Sequence, residues 1–243
     1  MTDAFVGELL GTATLILLGN GAVANAVLSK SKAQNSGWIV IVTGWACGIL
    51  AGILVANAVG APGHLNPAIT VAFAMADGNW SNVIPLICGQ FLGAFIGSVL
   101  VWLAFLAHWK ETEDPGLKLA AFCTGPAIRN YGANIVTEII GAFVLAFVVA
   151  AIVAAAGKAG DTLPPLLVPL TVAILVWGLG LSLGGPTGYA INPARDLGPR
   201  IAHALLPIAG KGSSDWSYAW IPVVGPLIGC AAGVLVAKAC GVI

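Results

Sequence analysis

The stretches Asn66-Pro67-Ala68 and Asn192-Pro193-Ala194-Arg195 decide the reading of this chain, and each lies between long apolar runs that carry no other strong polar motif. Asn followed by Pro is a helix-start signal. The Asn side-chain oxygen can cap the first turn, and Pro suits the first helical position, where no N–H is needed. Each tripeptide is therefore expected to open a helix after a glycine-containing loop, at a depth where the chain is still inside a membrane. Two such starts point to a polar site at the bilayer midplane.

Composition places the rest of the chain in lipid. Of 243 residues, 58% are hydrophobic and 8% charged, against roughly a quarter charged in a soluble domain; the mean hydropathy is +0.96. Apolar runs at 5–28, 38–59, 83–107, 135–156, 163–183 and 219–239 each reach the roughly 20 residues that cross a ~30 Å hydrocarbon core. Six spans follow, in an all-α membrane protein. The N-terminus lacks a basic n-region and the first run is too long for a cleavable signal. Zero formal net charge offers no basic footprint for nucleic acid. Cys47, Cys88, Cys123, Cys230 and Cys240 are scattered and read as small apolar fillers, and His64, His108 and His203 share no ligand motif. Neither a metal nor a cofactor is expected.

Residues 66–77 and 192–203 are too apolar for ordinary loops and too short to span. At 1.5 Å per residue each makes about 16 to 18 Å of helix, half the membrane core. They read as re-entrant half-helices. The chain is then one membrane domain, 1–243, whose halves of about 1–107 and 134–243 each hold three spans and are joined by the loop 108–133. An internal repeat supports this division. Glu8-Leu9-Leu10-Gly11 matches Glu138-Ile139-Ile140-Gly141, and Gly89, Gly93 and Gly97 match Gly225, Gly229 and Gly233. Three spans per half make the repeat inverted in the bilayer and put the functional site between the halves.

If each Asn oxygen caps its own helix, its amide N–H groups are left facing the lumen as donors. The loops 60–65 and 184–191 can expose carbonyls only where they line a watery cavity. Carbonyls of Gly63, His64, Leu65, Gly188, Ala190 and Ile191 would then form a line of acceptors. Stripping a hydroxyl of water without replacement costs about 2 to 7 kcal/mol, so such a ladder makes entry possible. Cations meet the opposite field, because each half-helix N-terminus behaves as about half a positive charge and Arg195 adds a full one.

With these residues the chain resembles the major intrinsic proteins, the aquaporin family, over nearly its whole length. The resemblance implies two half-helices meeting end to end, a homotetramer with one pore per subunit, a multi-pass place in the plasma membrane of a bacterium, and cytoplasmic termini. The bacterial plasma membrane is also what the neutral charge balance and short tails point to; the resemblance further implies that the loop 108–133 is extracellular and that Glu8 and Glu138 brace the pore loops. Carried over by motif, the narrowest section is Trp45, Gly180, Tyr189 and Arg195. Gly180 resembles the glycerol-conducting branch, where a missing side chain widens the constriction. Asp196, Arg200, the pair Pro226-Leu227 and the segment Phe122-x-Thr124-x-Pro126 resemble that branch too. Tyr189 departs from the branch's usual Phe. The interval from Trp45 to Asn66 is one residue longer than the pattern; were that residue within the helix, Trp45 would turn away by about 100°.

The expected activity is passive diffusion of glycerol and other small uncharged solutes with water, through lipid, without covalent chemistry. A water-selective pore, a facilitator for urea or protonated lactic acid, and an ion-coupled transporter are the alternatives. Trp102, Trp109, Trp216, Tyr218 and Trp220 read as interfacial anchors, and Lys158 and Asp161 as solvated loop charges. One rule runs against the family topology: Lys30, Lys32, Lys110, Lys118, Arg129 and Lys211 would lie outside and only Lys158 and Lys238 inside, the reverse of positive-inside counting. The family topology is preferred because Arg195 belongs at the outer mouth.

Overall fold

A computed structural model describes residues 2–160 and 164–243 of the chain, and every regular element among them is helical. Asp161 and the first residue of the fifth apolar run lie outside the described residues. Among the described residues five helices are long and apolar enough to cross a membrane: α1 (Thr2–Val27), α2 (Trp38–Ala58), α4 (Val83–Ala104), α7 (Tyr131–Ala159) and α10 (Ile221–Ala239). The remaining span, α8 (Leu167–Leu183), the fifth in chain order, has 17 residues, the short end of the spanning range at about 26 Å. The half-helices are α3 (Pro67–Asp77) and α9 (Pro193–Leu205), and the loop between the halves carries two short turns of helix, α5 (Leu106–Glu111) and α6 (Pro115–Ala120).

The repeat is visible in the packing. Helix α1 lies along α4 as α7 lies along α10, and α2 meets α8 between the halves. Each half-helix packs on the last span of the opposite half, α3 against α10 and α9 against α4, so the halves interlock. The glycine ladders let the backbones close. A Cβ built at Gly93 would stand 2.3 Å from the Leu9 carbonyl oxygen, and one at Gly229 would stand 2.3 Å from that of Ile139. In lipid this packing, rather than water exclusion, is what drives helix association.

Two expected interfacial anchors are core residues instead. Trp109 is 2% exposed, donates its Nε1–H to the Trp102 carbonyl and packs on Phe122; Tyr218 is fully buried. The loop between the halves folds back over the bundle, so aromatics near a span end face protein rather than headgroups. Among the cysteines only Cys123 and Cys230 fill core space, the other three being exposed. Lys158 lies in the last turn of α7 rather than in a loop.

Gly93→Ala is expected to destabilise the detergent-solubilised protein by about 1 to 3 kcal/mol, the usual cost of overpacking. A Cβ at Gly178 in α8 would meet nothing within 4 Å, so Gly178→Ala is expected to be neutral or stabilising by up to about 1 kcal/mol. Thermal midpoints of the two variants read the difference.

Candidate functional site

Both half-helices start as their sequence demands. Asn66 and Asn192 are the N-cap residues in extended conformation, each followed by Pro. Asn66 Oδ1 accepts from the Ala68 N–H at 2.9 Å, and Asn192 Oδ1 from the N–H groups of Ala194 at 2.9 Å and Arg195 at 3.2 Å. The other end of each amide was expected to be wholly free for solute. Instead, Asn66 Nδ2 donates to the Ile191 carbonyl at 2.9 Å and Asn192 Nδ2 to the Leu65 carbonyl at 2.8 Å. Each Asn therefore caps its own helix and ties down the other half's loop, leaving one N–H apiece. The carbonyls of Leu65 and Ile191 belong to this lock rather than to an open ladder. Those of Gly63, His64, Gly188 and Ala190 accept no hydrogen bond among the described residues.

Two buried carboxylates hold the loops in place. Glu8 accepts from the N–H groups of His64 and Leu65, both at 2.7 Å, and from Gln90 Nε2 at 2.8 Å. Glu138 accepts from the N–H groups of Ala190 at 2.9 Å and Ile191 at 2.8 Å, and from Thr187 Oγ1 at 2.7 Å. Gln90 and Thr187 are thus equivalent partners drawn from different places in the two halves. The repeat gave a hint of this, because the residue matching Gln90 after its glycine is Pro226, which has no polar group to offer, so the second half must find its third donor elsewhere. Leu65, Tyr189 and Ile191 have φ of 52°, 39° and 42°, a left-handed backbone that a non-glycine residue keeps only when its surroundings impose it.

On the face that carries both chain ends, a cavity of about 510 Å³ leads from Asp77 and Asn82 past His64 and the two Asn residues to Trp45, Tyr189 and Arg195. On the opposite face a cavity of about 300 Å³, lined by Trp38, Thr124 and Gly188 among others, ends on the same Trp45, Tyr189 and Arg195. Those three side chains therefore stand between the two cavities. Arg195 Cζ lies 3.8 Å from the centroid of the Trp45 ring, a stacking that a planar guanidinium favours. Trp45 faces the site, and α2 ends at Ala58, so the longer interval to Asn66 is absorbed in the following loop. Trp45 Nε1 and Tyr189 Oη are buried without a hydrogen-bond partner among the described residues.

Gly180 differs from expectation. It lines neither cavity, because a Cβ there would stand 2.7 Å from Tyr189 Cζ and 2.8 Å from Tyr189 Oη. The space left by the missing side chain is filled by the Tyr189 ring and by Val42, whose Cγ1 would also stand 2.7 Å away.

Asp196 and Arg200 point away from the pathway. Asp196 Oδ2 accepts from Thr124 N–H at 2.8 Å and Thr124 Oγ1 at 2.6 Å. Arg200 donates to Asp196 Oδ1 at 2.8 Å, to the Ser214 carbonyl at 2.8 Å and to the Thr124 carbonyl at 2.8 Å. The pair staples the loop between the halves and the loop before α10 onto α9. Pro226 is buried within α10 and Leu227 packs on the core.

The model of the family described as major intrinsic protein matches residues 1–237. A probable glycerol uptake facilitator protein of Thermotoga maritima is 57% identical over 229 residues, covering 93% of this chain and 94% of that protein. The glycerol uptake facilitator protein of Streptococcus pneumoniae is 50% identical over 237 residues, covering 97% and 98%. The crystal structure of the aquaglyceroporin from Plasmodium falciparum superposes with a TM-score of 0.84 at 26% identity, covering 98% of this chain and 95% of that one. A chain with two half-helices meeting at two capping asparagines, matched by the family model over residues 1–237 and by these relatives over 93% or more of its length, belongs to the major intrinsic protein family.

Proposed function

We propose that this chain is a passive channel for glycerol and related small uncharged solutes, with water as co-permeant, and that it performs no covalent chemistry. The observation that carries the reading is the junction of the two cavities. There Arg195 presents a hydrogen-bonding cation against Trp45, and the apolar edge of Tyr189 completes the wall. A polyol has one edge of hydroxyls and one of carbon, and such a corner suits both. Beyond it the remaining N–H of Asn66 and of Asn192 would donate to a passing oxygen, while carbonyls of Gly63, His64 and Ala190 accept from its hydroxyls, and that of Gly188 would do so on the near side of the corner.

The same groups exclude ions. Two helix N-termini face each other at the asparagines, each equivalent to about half a positive charge. The Arg195 charge adds on the order of 4 kcal/mol of repulsion for a cation about 4 Å away at an effective dielectric of 20, before dehydration. The protein would sit in a bacterial plasma membrane as a homotetramer with one pore per subunit and both termini cytoplasmic, so that Arg195 guards the outer mouth.

Stopped-flow light scattering on proteoliposomes tests this. The native chain should pass both glycerol and water well above empty liposomes, with glycerol flux linear in its gradient and indifferent to a protonophore. Gly180→His, which drives a side chain into the Tyr189 ring, should lose glycerol flux while water flux persists. Rapid water flux with no glycerol flux in the native protein would make it a water pore. Saturating, protonophore-sensitive flux would make it a coupled transporter.

A further inference from the structure

The two aromatic rings at the constriction rest on glycines whose backbone angles any residue could adopt. Gly19 and Gly180 lie inside α1 and α8, and Gly184 has right-handed helical angles, φ −76° and ψ −21°. In such a backbone glycine is about 0.8 to 1.0 kcal/mol worse than alanine, so the missing Cβ must serve space. A Cβ at Gly19 would stand 2.3 Å from Trp45 Cε3 and 2.4 Å from Cζ3; one at Gly184 would stand 2.8 Å from Tyr189 Cδ1, 2.6 Å from Trp38 Cζ2 and 2.6 Å from the Gly180 carbonyl oxygen. Nearby Gly21 and Gly178 would meet nothing within 4 Å. Trp38 closes the second recess. It meets the Tyr189 ring edge-on at 6.0 Å and 73°, and its Nε1 donates to the Gly180 carbonyl at 2.9 Å.

We propose that Gly19 and Gly184 are specificity-determining positioning residues: they recess the Trp45 and Tyr189 rings so that the opening beside Arg195 admits a carbon chain as well as water. This rests on the reading of the chain as a glycerol pore. Because carbon atoms pack at about 3.5 to 4.0 Å, a methyl at either glycine must move its ring by about 1 Å. Both rings line the two cavities where these meet, and Arg195 stacks on Trp45, so a ring displaced from its glycine moves into that junction, the opening narrows, and the larger solute is lost first.

The test compares glycerol and water permeability of proteoliposomes carrying Gly19→Ala, Gly184→Ala, the controls Gly21→Ala and Gly178→Ala, and Tyr189→Ala with and without Gly184→Ala. The expected result is a fall of about tenfold or more in the glycerol-to-water ratio for Gly19→Ala and Gly184→Ala, none for the controls, and no effect of Gly184→Ala once the Tyr189 ring is gone. An unchanged ratio, an equal fall in both permeabilities, or a fall that persists without the ring would overturn the proposal. If one variant does not fold, the other seat decides. A native chain that passes no glycerol would overturn the functional reading before any variant is made, and the seats with it.

Discussion

The double hydrogen bonding of Asn66 and Asn192 is the constraint on which the rest of the molecule depends. Each side chain caps the helix that it begins and grips the carbonyl that precedes the opposite motif. Two half-helices are thereby fixed head to head at a depth where neither end could otherwise find partners. Unpaired N–H groups in a water-free layer would cost several kcal/mol each. The caps remove the innermost of them, and the interlock of α3 on α10 and α9 on α4 supplies packing that holds the geometry.

The same constraint explains why carboxylates are buried where charge is costly. The loops must turn through left-handed conformations at Leu65, Tyr189 and Ile191, at roughly 1 to 3 kcal/mol each. Glu8 and Glu138 each gather three donors, and hydrogen bonds to charged groups contribute about 1.5 to 3 kcal/mol apiece. The strain is therefore offset next to where it arises. Loops fixed in this way keep their carbonyls aimed without relying on solute to order them.

Much of this was legible in the sequence. The Asn-Pro pairs named the half-helix starts, the spacing of apolar runs named the spans, and the matched Glu-x-x-Gly and glycine ladders named the repeat. The cross-bond from each Asn to the other loop was not legible, since it joins residues far apart in sequence through a geometry that only the closed bundle creates. Gly180 misled for a related reason: a missing side chain says that space is needed, not what fills it, and here Tyr189 and Val42 do. Trp109 and Tyr218 misled because an aromatic near a span end can face headgroups or a folded-back loop. Of the six cations that run against positive-inside counting, four have partners within the protein. Lys30 pairs with Glu111 and Arg129 with Asp215, while Lys118 donates to the Ala209 carbonyl. Lys211 caps the C-terminal end of α9 at the carbonyls of His203, Ala204 and Leu206. On the opposite face Lys238 does the same for α3 at Ala76, 3.0 Å away. Cations at both half-helix C-termini complete the dipole arrangement that begins at the asparagines.

The central claim is that facing helix ends and Arg195 let neutral solutes through while stopping charge. Its most direct measurement loads proteoliposomes with a pH-sensitive dye, imposes glycerol and pH gradients together, and follows volume and internal pH in the same vesicles. The account predicts fast glycerol relaxation with a proton leak no greater than that of empty liposomes. Proton flux rising with glycerol flux would contradict it.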